Sequence, residues 1–320
     1  MLAKTRKTLK KIKNLKIQGA WGIALAGVKA LADEMNASDA EDRKEFLKQM
    51  LDTIMVFKRV RDTEPALRNA LRFIFANARK SRERDVDELK RLVSREAKDY
   101  EQTSLRVKLK IAEYGARLIP HGANVLIHCH SSTLMRVLKR AHDEGKKPVV
   151  FCTETRPLYQ GRISAKELSD YGIKTRLVVD SASGYALRQL RDTDLVMVGA
   201  DAITSEGDLV NKVGTSLIAL AAHHYDKKLY SCTGTHKFDP LTLWGVPEPI
   251  EQRPWQEVLS AKEEKELKMR KKNFCVLNPA FDLTDSEHVS AYVTEIGVIP
   301  PQGLLSAVWK EFNLSEEETF

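Results

Sequence analysis

The segment His128-Cys129-His130-Ser131-Ser132-Thr133 places a thiol one step beyond an apolar run and directly before a helical pattern. Amide N–H groups at a helix start lower a thiol's pKa and favour the thiolate. A second segment, Asp194 to Ser216, reads DLVMVGADAITSEGDLVNKVGTS. Its β-branched run Leu195–Val198 leads into Gly199-Ala200-Asp201, and the chain continues to Asn211-Lys212 and Gly214-Thr215-Ser216. That one stretch thus supplies an acid/base candidate in Asp201, a cation in Lys212 and an anion cradle at the helix start Gly214-Thr215-Ser216.

Each residue also has a plainer role. Cys129 by itself fits a buried small hydrophobe, and Ser131, Ser132 and Thr133 fit helix caps. His128 and His130 share a strand face, yet no third ligand stands at a metal-binding spacing, so a metal centre is disfavoured. Asp201 fits a loop cap and Arg156 a structural ion pair. Position favours the functional reading. Each candidate falls at the carboxyl end of a strand: Cys129 after the first, Thr153 to Pro157 and Gln160-Gly161-Arg162 after the second, Asp180 after the third, Asp201 after the fourth, and Thr233 to Lys237 after the fifth. Ligand crevices of open α/β sheets lie along that edge. The sequence contains no GxGxxG after the first strand, no GxxxxGK[ST], no HExxH and no GxSxG, which disfavours dinucleotide, P-loop, zincin and hydrolase chemistry.

The elements that must hold these residues follow from periodicity. Residues 17–32, 40–60, 65–76 and 85–116 read as helices, with Pro65 suited to a first turn. Pro120-His121-Gly122 marks a boundary. Beyond it, strands are expected at 124–128, 148–152, 175–179, 195–198, 228–232 and 274–277, with helices at 134–144, 165–171, 184–190 and 214–225. The expected fold is α/β: an N-terminal helical domain over residues 1–120, then a doubly wound, mostly parallel Rossmann-like sheet over 121–320. Residues 234–272, rich in proline and then charge, suit a covering excursion or an oligomer contact.

At 320 residues and formal charge +8, the chain has length enough for about two domains. No apolar run reaches the roughly 18 residues of a membrane span. Cys129, Cys152, Cys232 and Cys275 form no CxxC pair, which suits reduced thiols in a cytoplasm. Residues 4–16 are dense in lysine and arginine without an acid, but no aromatic is interleaved, so a solvated helix end is favoured over a nucleic-acid arm.

TETRPLYQGRISAKEL (153–168), VGADAIT (198–204), NKVGTS (211–216) and THKF (235–238), with NPAFDLT (278–284) and GVIPP (297–301), carry a resemblance. In this order and spacing they resemble the superfamily that joins sugar-1-phosphate isomerases to the alpha, beta and delta subunits of translation initiation factor two-B, most closely its archaeal ribose-1,5-bisphosphate isomerases. The likeness is densest from His128 to Pro301. It implies Cys129 and Asp201 as the catalytic pair, and substrate binding by Gln18, Gly19, Ala20, Trp21, Arg61, Ser131, Ser132, Thr133, Asn211, Lys212 and Lys237. It further implies a homo-oligomer, commonly a hexamer built from dimers, and activation by AMP. The chain departs from the pattern in places. Arg-Gly-Ala-Gly is usual where this chain has Gln18-Gly19-Ala20-Trp21, Cys-Asn-Ser where it has Cys129-His130-Ser131, and Arg-Pro-Thr where it has Arg61-Asp62-Thr63. A guanidinium lost at Gln18 removes a bidentate phosphate donor.

The resemblance implies conversion of ribose 1,5-bisphosphate to ribulose 1,5-bisphosphate through a cis-enediolate, with Cys129 as thiolate handling carbon protons and Asp201 handling oxygen protons and ring opening. Fixed donors can supply the charge stabilisation, so no metal or redox cofactor is required. The phosphorylated pentose is the expected partner; a membrane is not expected, nor is nucleic acid. Two alternatives stand beside this reading: methylthioribose-1-phosphate isomerase, and a non-catalytic regulatory subunit that binds a nucleotide or sugar phosphate.

Overall fold

The computed structural model describes residues 1–14, 16–17, 19–60, 64–266 and 273–312. Five helices come first: α1 (Ala3–Lys13), α2 (Ala20–Asn36), α3 (Arg43–Val60), α4 (Pro65–Lys80) and α5 (Val86–Leu118). Their apolar stripes meet in one core that includes Ile12, Ile23, Leu31, Phe46, Phe57, Leu67, Leu71, Ile74, Leu89 and Val93. Pro65 takes the first turn of α4, where a missing N–H costs nothing. The α5 helix starts on Asp85, whose carboxylate accepts the Glu88 amide at 2.9 Å, with Asp87 and Glu88 favourably placed in the first turn. Its later residues Ile111 and Ala116 belong to the core beneath the sheet, so one helix ties the two layers together.

The sheet that follows has seven strands. β1 (Asn124–His128), β2 (Val149–Thr153), β3 (Lys174–Val178), β4 (Leu195–Val198) and β7 (Lys228–Cys232) are parallel. β9 (Ala291–Thr294) joins β7 in parallel, and β10 (Gly297–Ile299) closes the edge antiparallel to β9. The order is β10-β9-β7-β4-β1-β2-β3. Helices α6 (Ser132–Asp143), α7 (Gln160–Asp170), α8 (Ser183–Arg188), α9 (Thr215–His224) and α11 (Pro301–Phe312) accompany these strands. Alternation along β1 sends Val125 and Ile127 into the core shared with α5 and α6, and Leu126 into the core shared with α8 and α9. Both faces of the central strands β1 and β4 are therefore buried, which is why these read as apolar runs, whereas the edge strand β3 is largely exposed.

A small antiparallel sheet is added outside this frame: β5 (Ala202–Ile203), β6 (Leu209–Lys212) and β8 (Phe281–Thr284), in the order β5-β6-β8. The strand expected at 274–277 does not form. Phe274 and Leu277 are exposed and pair with no strand, while β8 starts at Phe281. The short helix α10 (Ala261–Glu266) lies within the excursion between β7 and β8. Among the described residues no helix is long and apolar enough to cross a membrane.

Candidate functional site

Strand order fixes where a site can form. The chain steps from β1 outward to β2 and β3, then returns to lay β4 on the other side of β1. The switch point thus lies between β1 and β4, whose ends are in register, His128 opposite Val198. Cys129 follows β1 and Asp201 follows β4, so the crevice that a doubly wound sheet opens at its switch point lies between them.

Both residues line one cavity of about 360 Å³. Gly19, Ala20, Trp21, Ser131, Ser132, Thr133, Asn211, Lys212 and Lys237 line it too. Gln18 and Arg61 lie outside the described residues. Every described residue of the catalytic and substrate-binding set that the resemblance implies therefore lines one cavity, whereas Asp180 and Gly214-Thr215-Ser216 do not.

Cys129 has a left-handed backbone, φ +68°, a strained state for a residue with a Cβ. Neighbours hold it there: its N–H donates to Thr155 Oγ1 at 2.9 Å, and its carbonyl accepts from Ser164 Oγ at 2.9 Å. Ser131 caps α6 by accepting the Leu134 amide at 3.3 Å. Gly199 must be glycine, because a Cβ there would come within 2.9 Å of the Ser131 Cβ. The two strand-end loops thus press against each other.

Charge around the sulfur is mixed. Burial pushes the Cys129 thiol up to about 11; Lys212 opposes this, and Asp201 and Asp180 add to it. Against the expected thiolate, burial favours the neutral thiol, because desolvation outweighs the nearby ammonium. The expected cradle at the start of α9 is also corrected. Asp282 occupies it, with Oδ2 accepting the Gly214 amide at 2.6 Å and Oδ1 the Ser216 amide at 3.2 Å. Gly214 is left-handed, φ +105°, with the His128 ring 3.2 Å from where a Cβ would stand. The helix starts that line the cavity are those of α2 and α6.

The cations are held by backbone. Lys212 Nζ donates to Ala280 O at 2.9 Å, and Lys237 Nζ donates to Ala200 O. Each ammonium has three protons, so two remain for a ligand. Burial lowers the Lys237 pKa, while Asp201 and Glu64 hold it up. Asn211 is buried and gives its amide to Thr215 Oγ1 at 3.0 Å. The two histidines do not form a metal pair. His128 bonds Thr153 Oγ1 at 2.6 Å and Val213 O at 2.9 Å, whereas His130 bonds Ser164 Oγ at 3.0 Å. Arg156 serves structure, reaching Tyr159 Oη at 2.7 Å and Val258 O at 2.9 Å, and Asp180 ties the loop by accepting the amides of Thr155 and Arg156.

Sequence reasoning missed several wall residues: Glu64 at the start of α4, Lys108 on α5, and Glu251, Arg253 and Glu257 from the excursion after β7. That excursion covers the cavity, with Arg253 pairing Glu251 at 2.8 Å and also Glu257. The charged text around each of these residues carries no periodic signal that marks it as inward-facing.

Fold and cavity together define an α/β protein with a thiol, a carboxylate and two lysines gathered at the switch point of a doubly wound sheet. Residues 16–301 match the Initiation factor 2 subunit family, and the chain belongs to it. Ribose 1,5-bisphosphate isomerase of Thermococcus kodakarensis is 39% identical over 304 residues, 94% of this chain and 92% of that protein. Methylthioribose-1-phosphate isomerase of Desulforamulus reducens is 34% identical over 91% of this chain and 86% of its own length. Among solved structures, the translation initiation factor eIF-2B of Pyrococcus horikoshii OT3 superposes with a TM-score of 0.78 at 26% identity, covering 94% of this chain and 98% of that one. The 5-methylthioribose 1-phosphate isomerase of the same organism gives 0.76 at 28% identity, covering 96% and 88%.

Proposed function

We propose that this chain is an aldose–ketose isomerase acting on a sugar 1-phosphate, and that it converts ribose 1,5-bisphosphate to ribulose 1,5-bisphosphate. The observation that carries this reading is the shared cavity at the switch point, where Cys129 and Asp201 stand among Asn211, Lys212, Lys237 and the starts of α2 and α6. The isomerases among the relatives, similar over nearly the whole chain, support the reaction class.

A phosphate on C1 locks the pentose as a ring, so the ring oxygen must gain a proton before the carbon chemistry begins. A neutral thiol supports one order of events. Cys129 gives its proton to the ring oxygen as the bond from C1 to that oxygen breaks, and the thiolate left behind is stabilised by the Lys212 charge. The thiolate then takes the proton from C2, and the freed electron pair forms the C1–C2 double bond, cancelling the positive charge at C1. The regained thiol proton is next delivered to C1, while Asp201 takes the C2 hydroxyl proton and the C2 carbonyl forms. Return of that proton from Asp201 to sulfur closes the cycle. This order assigns ring opening to sulfur rather than to Asp201, because burial keeps the proton there.

Incubating the purified protein with ribose 1,5-bisphosphate, with and without AMP, tests the reading; ribulose 1,5-bisphosphate is the expected product, and AMP the expected activator. Cys129→Ser and Asp201→Asn each lower turnover by about 100-fold or more. Full rate in either variant contradicts the assignment. A second reading, methylthioribose 1-phosphate as substrate, is favoured by one observation: Trp21 supplies an apolar wall suited to a methylthio tail. Comparing the two sugars at equal concentration decides between them. A homo-oligomer, a hexamer built from dimers, belongs to the same proposal. Leu217 and Leu220 on α9 and Leu283 on β8 are exposed apolar side chains on neighbouring elements, and sedimentation measures the state.

A further inference from the structure

Lys108 lines the candidate cavity from the middle of α5. Its Nζ lies 5.2 Å from the centroid of the Trp21 ring. Among the described residues it has no carboxylate partner and no hydrogen bond. Burial lowers its pKa, and the positive charges of Arg136 and Lys237 push the same way. The other lysines of the cavity are better compensated: Lys237 has Asp201 and Glu64 as opposing charges, and both Lys237 and Lys212 donate to carbonyls. Lys108 is thus a half-buried ammonium that feels the like charges of Arg136 and Lys237 and stands over the Trp21 indole face. Among the described residues no carboxylate offsets the Lys108 charge.

The surroundings indicate its chemistry. Helix α2 begins at Ala20 behind Gly19, which contributes no side-chain cap. Ala20, Trp21 and Lys108 line the same cavity. Amides at an uncapped helix start and a nearby ammonium converge on an anion, and a phosphoryl group presents acceptors to both at once. Lys108 also sits apart from the acid–base pair. Lys237, anchored on the Ala200 carbonyl next to Asp201, and Lys212, whose charge acts on Cys129, attend the reacting pair, whereas Lys108 stands over the Trp21 ring on α2. A phosphate next to the reacting carbons belongs with the first group. An anion at Lys108 belongs to the remote end of the substrate.

We propose that Lys108 binds the phosphate remote from the reacting carbons, and so selects a sugar bisphosphate over a sugar monophosphate with an apolar tail. This rests on the isomerase reading for the identity of the substrate, but the anion site itself does not. Trp21 alone would accept an apolar tail; an ammonium held over its face, short of a counter-charge, favours an anion there.

The test uses the full chain in two independent measurements. Titration calorimetry with inorganic phosphate compares wild type, Lys108→Met, Lys108→Arg and the surface control Lys110→Met. The expected result is binding weakened about 10- to 100-fold in Lys108→Met, partly restored in Lys108→Arg and unchanged in Lys110→Met. Equal binding by wild type and Lys108→Met overturns the proposal, as does a wild type that binds no phosphate. Kinetics supply the second measurement. Lys108→Met raises KM for ribose 1,5-bisphosphate by a similar factor with little change in kcat, the signature of lost uniform binding. An equal KM increase for methylthioribose 1-phosphate overturns the selectivity claim. If no sugar is turned over by wild type while phosphate binding still depends on Lys108, the isomerase reading fails and the anion site stands.

Discussion

The N–H of Cys129 donates to Thr155 Oγ1 at 2.9 Å, which joins the loop after β1 to the loop after β2. Both residues are left-handed, at φ +68° and +62°, a conformation that costs about 1–3 kcal/mol each unless neighbours enforce it. Thr155 also donates to Thr153 O at 3.3 Å, and Thr153 Oγ1 is 2.6 Å from His128 Nδ1. Thr155→Val keeps the shape but removes the acceptor, stranding a buried N–H at a cost of about 1–3 kcal/mol. Turnover should fall about 10- to 100-fold as the sulfur shifts, with Thr155→Ser restoring most of it. A valine variant with normal kcat and normal melting would mean that the strain at Cys129 is supported elsewhere.

The Cys129 thiol should behave as a weak acid. Burial pushes it up to about 11, well above a free thiol near 8.5. Cys275 is exposed, while Cys152 and Cys232 are buried and pushed up to about 12. Iodoacetamide at neutral pH is therefore expected to modify Cys275 and spare activity. In a Cys275→Ser background the inactivation rate should climb about tenfold per pH unit until it approaches pH 11, because only the thiolate reacts. A rate that levels off below about pH 8 would restore the thiolate picture and return ring opening to Asp201.

Much of this was legible in the chain because central strands buried on both faces leave short, mostly apolar runs. Asn124–His128, Leu195–Val198 and Lys228–Cys232 stand where the sequence put them. The edge hairpin β9–β10 was not legible, since its two short strands are covered unevenly and resemble loop text. Phe274–Leu277 misled for the opposite reason: it is apolar, yet Leu277 is 82% exposed and nothing pairs with it. At the site, Cys129 and Asp201 could be read because strand ends are predictable places. Lys108 could not. It stands among other charged residues of a long helix, and only packing against Trp21 distinguishes it from Lys110. Asp282 was hidden for a similar reason, since its partner amides lie more than sixty residues away in the chain.

Asp282 makes its own prediction. A carboxylate at the amide end of α9 stabilises through two hydrogen bonds and through the helix dipole. Burial nevertheless raises its pKa, with the Gly214 and Ser216 amides opposing. Asp282→Ala should lose about 1–2 kcal/mol in urea unfolding, and Asp282→Asn less, because one acceptor remains. Emptying the cap would also create a free anion site at Gly214-Thr215-Ser216, so the alanine variant should bind inorganic phosphate more tightly. Unchanged stability and unchanged phosphate binding together would show that the cap contributes nothing.

The excursion that roofs the cavity is anchored by a buried acid pair. Arg68 Nη2 lies 2.9 Å from Asp239 Oδ2 and 3.6 Å from Glu248 Oε2. Burial pushes the Glu248 carboxyl far above the usual carboxylate range, helped by a hydrogen bond and charge from Asp239 and opposed by Arg68. Its folded pKa therefore exceeds its unfolded value of about 4.3. The stability it contributes is complete below that unfolded value and is lost as pH rises towards the folded one. Wild-type stability should thus decline between about pH 5 and about pH 8 on this account. Glu248→Gln cannot ionise and keeps a donor for Asp239, so its unfolding free energy should show a flatter pH dependence over that range. The two curves should meet near the acid end and separate with rising pH, the variant being the more stable. Parallel curves would mean that Glu248 is ionised in the folded protein and that Arg68, rather than a shared proton, holds the pair together.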